Sequence, residues 1–587
     1  MSALAALVRA YDHMAARGEV PPFGYSQEKI GFLISLNADG SVAGRPIDLR
    51  LGEGRKKTAR PLAVPRPTKR TSGIAPNFLW DKTAYVLGIT AGEGKRTAQE
   101  HQAFRDQHSA WLAGTADEGL QALLRFLDAW TPERFAEWEW PEEMKDQNVV
   151  FALESERLRT IYLHDRPEAR ALWARLMAGS DKTEAICLLS GERAPLARLH
   201  PAIKGVWGAQ SSGASIVSFN LDAFTSYGHE QGANAPISEA SAFAYTSVLN
   251  RFLDRGSGHR LQVGDASTVF WAEATEQAAA DAAEQIFASL LAVNENTESK
   301  KVGALLEKIA QGRPVSDLKP ELPPGVRFHV LGLAPNAARL SVRFYIEDDF
   351  DVIATRYLRH LQRLRIEPPP HEPSPSLWRY LIETAVLRKS ENIAPNLGGD
   401  WLRAILTDTP YPLTLLSSVI MRLRVDHDVN ALRVSLMKSI LIRNFGMENT
   451  PVALDSTCKE QGYLLGRLFA VYEHIQEAAL GRNVNATIRD KYYGAAAAQP
   501  RKVFALLGSG AGNHLSKIGK QRPGHRVNLE KAIGAIMDMM DPGDDPFPAS
   551  LSDKSQALFT LGYYHQRNEF FRKSDSADAA AVSETAP

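Results

Sequence analysis

The stretch Glu367-Pro-Pro-Pro-His-Glu-Pro-Ser-Pro-Ser376 places five prolines in ten residues. Proline has no backbone N–H and clashes with the preceding helical turn, so this stretch predicts an extended linker without regular helix. Strand-like and helical segments alternate before the linker, whereas helical periodicity alone follows it. The stretch therefore predicts an α+β fold with a mixed α/β region at residues 1–366, a linker at 367–376 and an all-α helical bundle at 377–573.

Four apolar runs before the linker have the length and residue content of strands. They are Gly31–Leu36, Val149–Leu153, Ile216–Phe219 and Thr268–Trp271. The turn sequence Asn37-Ala-Asp-Gly40 follows the first run and predicts a hairpin. Residues 1–18 predict an amphipathic helix whose apolar side consists of Leu4, Leu7, Val8, Tyr11 and Met14.

The region after the linker carries a clear helical pattern. Apolar residues recur at spacings of three and four along one face, at Leu464, Leu468, Val471, Ile475 and Ala479. Gly481 predicts the end of this helix, while Thr457 and Glu460 have the spacing of a capping box that predicts its start. The Ser-, Asp- and Ala-rich residues 574–587 predict a disordered tail.

The composition bounds the function only loosely. A chain of 587 residues exceeds what one hydrophobic core usually organises, which predicts at least two domains. The 68 basic and 68 acidic residues balance, so a nucleic-acid surface would depend on local segregation of charge. Cys187 and Cys458 are too few for a disulfide framework or a structural zinc site. The sequence lacks a membrane-spanning apolar run, and Asp12 argues against a signal peptide, so we expect a cytoplasmic protein with no membrane partner.

The first candidate for nucleic-acid binding is a basic run with no acidic residue from Gly54 to Trp80. Its cations are Arg55, Lys56, Lys57, Arg60, Arg66, Lys69 and Arg70. Such a density of cations neutralises phosphates, and the run continues into small polar and aromatic residues. An ordinary solvated loop is the alternative interpretation.

A second run without acidic residues extends from Lys491 to Leu529. Its cations include Arg501, Lys502, Lys517, Lys520 and Arg522. The length of the run favours a single-strand or duplex track. Within it, Gly508-Ser-Gly-Ala-Gly512 predicts a flexible element that either joins two helices or brings its amides close to a phosphate.

A strand and the helix after it add two shorter basic patterns. In the predicted strand Arg339–Tyr345, Arg339 and Arg343 share one face opposite the apolar residues, and that face could meet a phosphate backbone. The next predicted helix stacks three arginines in one stripe without intervening acids, at Arg356, Arg359 and Arg363. Ordinary solvated surfaces are the alternatives for both patterns.

The segment Gly205-Val-Trp-Gly-Ala-Gln-Ser-Ser-Gly213 has two glycines at the spacing of a phosphate loop. Ala214 stands where that motif needs its lysine, which argues against nucleotide hydrolysis. The Gln-Ser-Ser triplet instead offers neutral donors and acceptors of the kind that read a minor groove. A tight turn buried under Trp207 is the alternative.

The usual catalytic and metal-binding motifs are absent from the sequence. Asp426-His-Asp428 combines acidic and histidine side chains, but no second histidine stands at metal-ligand spacing, and a surface cap is the simpler interpretation. His565 lies among aromatic residues, which predicts a packed core histidine. No Gly-x-Ser-x-Gly elbow or His-Glu-x-x-His helix occurs. We therefore expect no catalytic residue, no metal site and no cofactor.

Longer motifs recur along nearly the whole chain. They are Lys69–Gly88, Ile203–Asn220, Ser226–Ser238, Thr268–Ala272, Tyr463–Ala470, Asn485–Gly494 and Leu561–Phe571. Together these motifs resemble the signature of the type I-C CRISPR Cascade large subunit family. The resemblance is thinnest in Ala91–Glu143, in Asn294–Pro320 and at the C-terminal end.

The resemblance implies a non-catalytic subunit of a type I-C Cascade surveillance complex in antiviral defence. Such a subunit sits at the 5′ end of the guide RNA, recognises the protospacer-adjacent motif in double-stranded DNA and promotes R-loop formation. The implied partners are the guide CRISPR RNA, the target DNA, the Cascade backbone subunits, the guide-processing end subunit, the small subunit and a helicase-nuclease. The resemblance also implies that the helical region is similar to the small subunit.

On this interpretation the DNA-binding residues are Lys69, Arg70, Ser72, Asn77, Gln210, Ser211 and Ser212. Lys69 and Arg70 are predicted to hold phosphates, and the others to lie at the groove. The predicted contacts to a nucleic-acid backbone are Arg55, Lys56, Lys57, Arg339, Arg343, Arg356, Arg359, Arg363, Arg501, Lys502, Lys517, Lys520 and Arg522. A metal-dependent nuclease centred on Asp426 and a purely architectural subunit are the alternatives.

Overall fold

Helices form throughout the described chain, whereas its strands all lie before Phe350, which confirms the predicted α+β fold class. The computed structural model describes residues 2–52, 57–67, 70, 73–178, 183–219, 221–291, 325–372, 375–481 and 485–571. The strands are β1 (Tyr25–Ile30), β2 (Phe32–Leu36), β3 (Ile47–Asp48), β4 (Arg60–Pro65), β5 (Trp80–Lys82), β6 (Asn148–Leu153), β7 (Glu184–Ile186), β8 (Arg193–Pro195), β9 (Arg260–Val263), β10 (Ala266–Glu273), β11 (Arg327–Asn336) and β12 (Arg339–Asp349). The helices up to the last strand are α1 (Ala3–Ala16), α2 (Thr83–Val86), α3 (Thr97–Trp111), α4 (Glu118–Ala129), α5 (Arg134–Glu137), α6 (Glu154–Arg157), α7 (Pro167–Ala178), α8 (Glu239–Leu253) and α9 (Gln277–Leu291). Those after it are α10 (Phe350–Leu364), α11 (Leu377–Ile382), α12 (Leu397–Thr407), α13 (Leu413–Asp426), α14 (Ala431–Phe445), α15 (Gln461–Leu480), α16 (Ile488–Ala498), α17 (Pro500–Gln521), α18 (Pro523–Met537) and α19 (Asp553–Glu569).

The chain divides into two compact units. The first comprises Met1–Ile203 and Val217–Arg251, and the second comprises Lys204–Ile216 and Phe252–Pro587. The predicted division at the Pro-rich stretch, with guide-end and adjacent-motif recognition before it and a region similar to the small subunit after it, stays a prediction. The predicted disorder of residues 574–587 falls outside the described residues.

The Pro-rich stretch lies within the second unit and contains no helix in its described residues. Its first residues are tied to the bundle by hydrogen bonds. The Glu367 N–H donates to the carbonyl oxygen of Val452 at 2.9 Å, and the Tyr564 hydroxyl donates to the carbonyl oxygen of Pro368 at 2.7 Å. The start of the stretch is therefore anchored at two points, and the extended linker stays a prediction.

The first unit is built on a four-stranded sheet of order β3-β2-β6-β5, in which β2 and β6 are parallel and the outer pairs are antiparallel. The central strands are almost entirely buried, which explains their continuous apolar sequence. The chain turns back after β2, where the Asn37 N–H donates to the Ser41 carbonyl at 2.8 Å. This turn and the pairing of β2 with β3 confirm the predicted hairpin. The amphipathic N-terminal helix is also confirmed, with Leu7, Tyr11 and Met14 buried.

The second unit joins an antiparallel sheet of order β12-β11-β10-β9 to the helical bundle through one continuous hydrophobic core. A bulge interrupts the pairing of β11 with β12, since Gly332 pairs with Phe344 but Leu333 pairs with Val342. Val342, beside the bulge, is 45% exposed, whereas Leu340 and Phe344 are buried. The predicted alternation of two faces along this strand is therefore broken at its centre.

Three local predictions are wrong. Ile216–Phe219 forms no strand, because pairing is limited to bridges at Ala214 and Ser215 before the chain bends away. Thr457 caps no helix, since its N–H and hydroxyl both donate to Asp455, and α15 begins only at Gln461. Gly508–Gly512 lies inside the continuous helix α17, so its amides have helical partners and neither join two helices nor reach a phosphate. Burial of one apolar face of α17 outweighs the low helix propensity of glycine.

The closest packing in the bundle is between α15 and α19, whose backbones touch. A Cβ atom on Gly466 would lie 2.0 Å from the carbonyl oxygen of Phe559, and one on Gly562 would lie 2.1 Å from that of Tyr463. Because no other residue fits at these positions, the glycines determine how near the two helices come. The predicted buried face of α15 and its end at Gly481 are confirmed, although its first half is buried on every side.

We expect Gly466→Ala to destabilise the protein by about 3 kcal/mol, since the added methyl group must push two helix backbones apart. Gly512→Ala is the matched control, because a Cβ there meets nothing within 4 Å. That change should stabilise the protein by about 0.5–1 kcal/mol through helix propensity. Chemical denaturation of the full chain measures both effects, and equal effects of the two substitutions would contradict the role of Gly466.

Candidate nucleic-acid interface

The first basic run is only partly described. Arg55, Lys56, Lys69 and Ser72 lie outside the described residues, so their assignments stay predictions. The Lys57 ammonium lies 2.8 Å from the carboxylate of Asp48. Hydrogen bonds from Arg50 and Lys57 hold the pKa of Asp48 far below its usual range.

Arg70 is held by a buried carboxylate within its own segment. Its guanidinium makes two contacts with the side chain of Asp81, one of them at 3.1 Å, and donates to the carbonyl oxygen of Ala75 at 2.6 Å. It also lies 4.0 Å from the ring centroid of Tyr85. A phosphate at this position would have to share the guanidinium with an ion pair, a hydrogen bond and a cation–π contact.

Asp81 organises this segment. Its carboxylate also accepts hydrogen bonds from the backbone N–H groups of Asn77, at 2.9 Å, and Lys82, at 2.8 Å. Burial raises the pKa of Asp81, and the opposing effect of Arg70 and the two amides only partly reduces this shift. The structure thus brings Arg70 and Asn77 together: the guanidinium of Arg70 and the backbone N–H of Asn77 both contact the buried carboxylate of Asp81.

We expect Arg70→Gln to destabilise the fold by about 3 kcal/mol at neutral pH, because it leaves the Asp81 carboxylate buried without a cation. The pKa of Asp81 in the folded state is already raised and should rise further in the variant. The destabilisation should therefore diminish as the pH falls through the raised pKa of Asp81 in the folded variant, because the carboxyl group then becomes neutral. Urea denaturation at neutral and at mildly acidic pH measures this dependence.

Arg175→Gln is the control for this experiment, since Arg175 forms an exposed pair with Glu168 and should contribute less than about 1 kcal/mol. If Arg70→Gln leaves stability unchanged but weakens DNA binding, Arg70 is a phosphate contact and the structural role fails.

The segment Gly205–Gly213, here called the neutral loop, belongs to the second unit and stands on its sheet. The backbone N–H of Trp207 donates to the Ser267 hydroxyl of β10 at 2.9 Å. Immediately after the loop, the Leu340 N–H of β12 donates to the Ser215 carbonyl at 2.9 Å. Gly205 has a φ of +87°, which favours glycine at the start of the loop. The sheet therefore fixes both ends of the loop.

The middle of the neutral loop is presented to solvent. Gln210, Ser211 and Ser212 are exposed, and Gly213 closes a turn by donating its N–H to the Gln210 carbonyl at 2.9 Å. Trp207 is 62% exposed, so the alternative of a tight turn buried under this residue is wrong. The loop places three neutral hydrogen-bonding side chains beside an exposed indole, a combination suited to base edges and base stacking.

The arginines of β12 and α10 have carboxylate or backbone partners. Arg343 lies 3.1 Å from Asp265, and Arg339 pairs through its backbone with Ser215 beside the neutral loop. Arg356 lies 2.7 Å from Asp348 and donates to the Leu406 carbonyl. No acidic residue lies between Arg356 and Arg363 in the sequence. In the folded protein, acidic residues outside α10 contact these arginines.

Arg359 and Arg363 of the same stripe share one acid. Their Nη1 atoms lie 3.0 and 3.4 Å from the Asp408 carboxylate, which also pairs with Arg443. Burial alone would raise the pKa of Asp408, but the neighbouring guanidinium groups outweigh it and hold the pKa below its usual value. Sequence analysis missed both Asp408 and Arg443, which lie far from α10 along the chain.

The second basic run contains cations of two kinds. Arg501 pairs with Asp545, and Arg522 donates to the Ala478 carbonyl at 2.8 Å. The side chains of Lys502, Lys517 and Lys520 are exposed and form no hydrogen bond or ion pair with the described residues. At 100° per residue these three lysines lie within about 60° of one another around α17 and span about 27 Å along it. They form one cationic side of α17, opposite its buried face.

The acidic residues considered for a nuclease are held in ion pairs. The Asp426 carboxylate lies 2.7 Å from the Arg433 guanidinium, and Asp428 pairs with Arg388. Arg433 and Glu383 are both about 1% exposed and lie 3.1 Å apart. Within the described residues no cluster of His, Cys, Asp and Glu side chains is arranged to hold a metal ion. The predicted packed histidine is confirmed, since His565 is buried and its Nδ1 lies 3.0 Å from the Tyr463 hydroxyl.

The described residues define an α+β protein in which an antiparallel sheet carries an exposed polar loop and shares its core with a helical bundle. A family model for the CRISPR-associated protein Cas_Csd1 matches residues 7–571. The chain therefore belongs to this family, the large subunits of type I-C Cascade. A comparison with curated proteins found no match. None of the described helices has the length and apolar content needed to cross a membrane.

Proposed function

We propose that this chain is the subunit of type I-C Cascade that recognises the protospacer-adjacent motif in double-stranded DNA and promotes R-loop formation. It acts in the cytoplasm with guide CRISPR RNA, Cascade backbone subunits, the guide-processing end subunit and the small subunit. It supports recruitment of a helicase-nuclease and itself cuts no DNA. Family membership supports the complex, and the neutral loop is the observation that supports motif recognition.

The neutral loop suits a short duplex motif for three reasons. Its ends are fixed to the sheet, so little conformational entropy is lost when it meets a groove. Its side chains are uncharged, which matches the neutral hydrogen-bonding pattern of base edges. Its exposed Trp207 is placed to stack on a base that leaves the duplex. Recognition of a short motif by protein, followed by guide pairing, is the division of labour expected in RNA-guided binding.

The lysines of α17 suit a different task. An ammonium without a carboxylate partner neutralises a phosphate and releases counterions irrespective of sequence. Arg50, Arg70 and Arg343 would each first have to break an ion pair. Their carboxylate partners are Asp48, Asp81 and Asp265, in that order. We therefore assign displaced or target single strand to the exposed side of α17.

Replacing Gln210, Ser211 and Ser212 together with alanine should abolish preference for the correct flanking trinucleotide, lowering discrimination by about ten-fold or more. Affinity for DNA that is already open should be unchanged, because the loop acts before guide pairing. Equilibrium binding of guide-loaded complex to matched duplexes with and without candidate flanking sequences measures both quantities.

Ser390→Ala, an exposed serine elsewhere in the second unit, is the control and should preserve discrimination. If the triple variant still discriminates, the neutral loop is structural. If even the wild-type complex has no flanking preference, motif recognition is excluded for this chain.

The double change Lys517→Gln and Lys520→Gln should weaken binding to all sequences alike and reduce the slope of log affinity against log salt by about 1.4, or 0.7 for each single-strand phosphate contact. Lys459→Gln with Lys554→Gln removes the same charge elsewhere in the second unit and serves as the control. A salt titration with single-stranded target DNA measures the slopes. Equal slopes for the two double variants would rule out a specific track on α17.

A further inference from the structure

Three arginines of the second unit converge on one carboxylate, a group here called the Asp408 cluster. Arg359 and Arg363 come from α10, Arg443 comes from α14, and Asp408 follows the end of α12. One acid against three guanidinium groups leaves a formal excess of two positive charges. The neighbouring Arg356–Asp348 pair is neutral and does not reduce this excess.

The charged side chains of the cluster range from buried to half-exposed. The side chains of Arg443 and Arg363 are 8% and 12% exposed, whereas those of Arg359 and Asp408 are 47% and 28% exposed. The Nη2 atom of Arg443 is buried and has no hydrogen-bond partner among the described residues. A buried cationic donor without an acceptor is unfavourable, so the cluster has capacity for a further anion.

Asp408 itself lies at a helix C-terminus, where the helix dipole disfavours a negative charge. It follows the C-terminus of α12 in the left-handed region, at a φ of +55°. The partial negative charge at a helix C-terminus disfavours an anion there, and the same carbonyl groups attract the arginines. Arg356 donates to the Leu406 carbonyl in the last turn of α12, and Arg443 donates to the Thr409 carbonyl in the segment that follows the helix. The guanidinium groups therefore hold Asp408 against the helix dipole.

We propose that Arg359, Arg363 and Arg443 form a binding site for the phosphodiester backbone of a nucleic acid, in which Asp408 is the internal anion that holds the arginines together until a phosphate enters. Guanidinium groups bind phosphates as forked donors, and the half-exposed Arg359 is the point of entry. A nucleic acid supplies successive charges that match an excess of two, whereas a single carboxylate supplies one. This inference rests on the proposed function, which brings DNA and guide RNA to the chain.

The deciding variant is Arg359→Gln, because its half-exposed side chain can be changed with little effect on the core. In the guide-loaded complex it should lower affinity for single-stranded target DNA about three- to ten-fold and reduce the salt slope by about 0.7. Asp408→Asn should raise the affinity, and this gain should disappear when Arg359→Gln is also present. Fluorescence anisotropy across a salt series measures all three complexes, with their thermal stabilities measured in parallel.

Glu168→Gln is the charge control, because it removes one acid from an exposed pair with a single arginine in the first unit. If Glu168→Gln raises affinity as much as Asp408→Asn, the effect is general charge and the proposal is wrong. If Arg359→Gln and Asp408→Asn change thermal stability but not the salt slope, the cluster is purely structural. If poly-glutamate displaces the oligonucleotide at lower charge concentration than competitor DNA, and only when Arg359 is intact, the ligand is an acidic protein.

The phosphate site and motif recognition can fail independently of each other in these experiments. If the neutral-loop variant loses discrimination while Arg359→Gln leaves the salt slope unchanged, the proposed function stands and this phosphate site fails. If Arg359→Gln reduces the slope in a complex that has no flanking preference, the phosphate site stands and motif recognition fails.

Discussion

Backbone contact between α15 and α19 is the constraint on which the second unit depends. Glycines at 466 and 562 let each helix lie against a carbonyl of the other, so two long helices form one buried layer. The same two helices pack against α14, α16, α17 and α18. Because α15 is buried all round in its first half, its position determines where the neighbouring helices direct their polar sides. The exposed lysines of α17 and the Asp408 cluster both lie on helices of this bundle.

Buried and half-buried carboxylates decide which cations remain available at the surface. Asp81 engages Arg70, Asp408 engages three arginines, and Glu383 engages Arg433 in the core. Arginine suits these positions because its planar fork makes several directed hydrogen bonds and stays charged when buried. In α17 three of the exposed positions are instead occupied by lysines whose side chains lack such a partner among the described residues. A chain with equal numbers of basic and acidic residues can in this way present a local cationic surface.

The fold was largely predictable where apolar periodicity controls local structure. The strands around Phe32–Leu36, Val149–Leu153 and Thr268–Trp271, and the face of α15, follow from the pattern of residues that must be buried. Prediction failed where a short-range signal competed with tertiary packing. The glycines of α17 remained helical because the opposite face is buried, and Asp455 removed Thr457 from its expected cap.

The candidate interface was predictable in part. The Gln210–Ser212 triplet stood out because it is neutral, polar and flanked by glycines, but exposure of Trp207 depends on contacts that no local pattern encodes. For the basic runs, local spacing identified the cations without identifying their partners. The acid that engages Arg359 lies 49 residues away along the chain.

The sequence by itself determined the α+β class, the buried faces of the main helices and the family resemblance, because burial patterns and extended motifs are properties of neighbouring residues. Only the tertiary structure decided which cations are paired, which stay exposed and how the neutral loop is held. The physical reason is that an ion pair depends on distance in space. Folding can bring a carboxylate within 3 Å of a guanidinium at almost any sequence separation, as it does for Asp408 and Arg359.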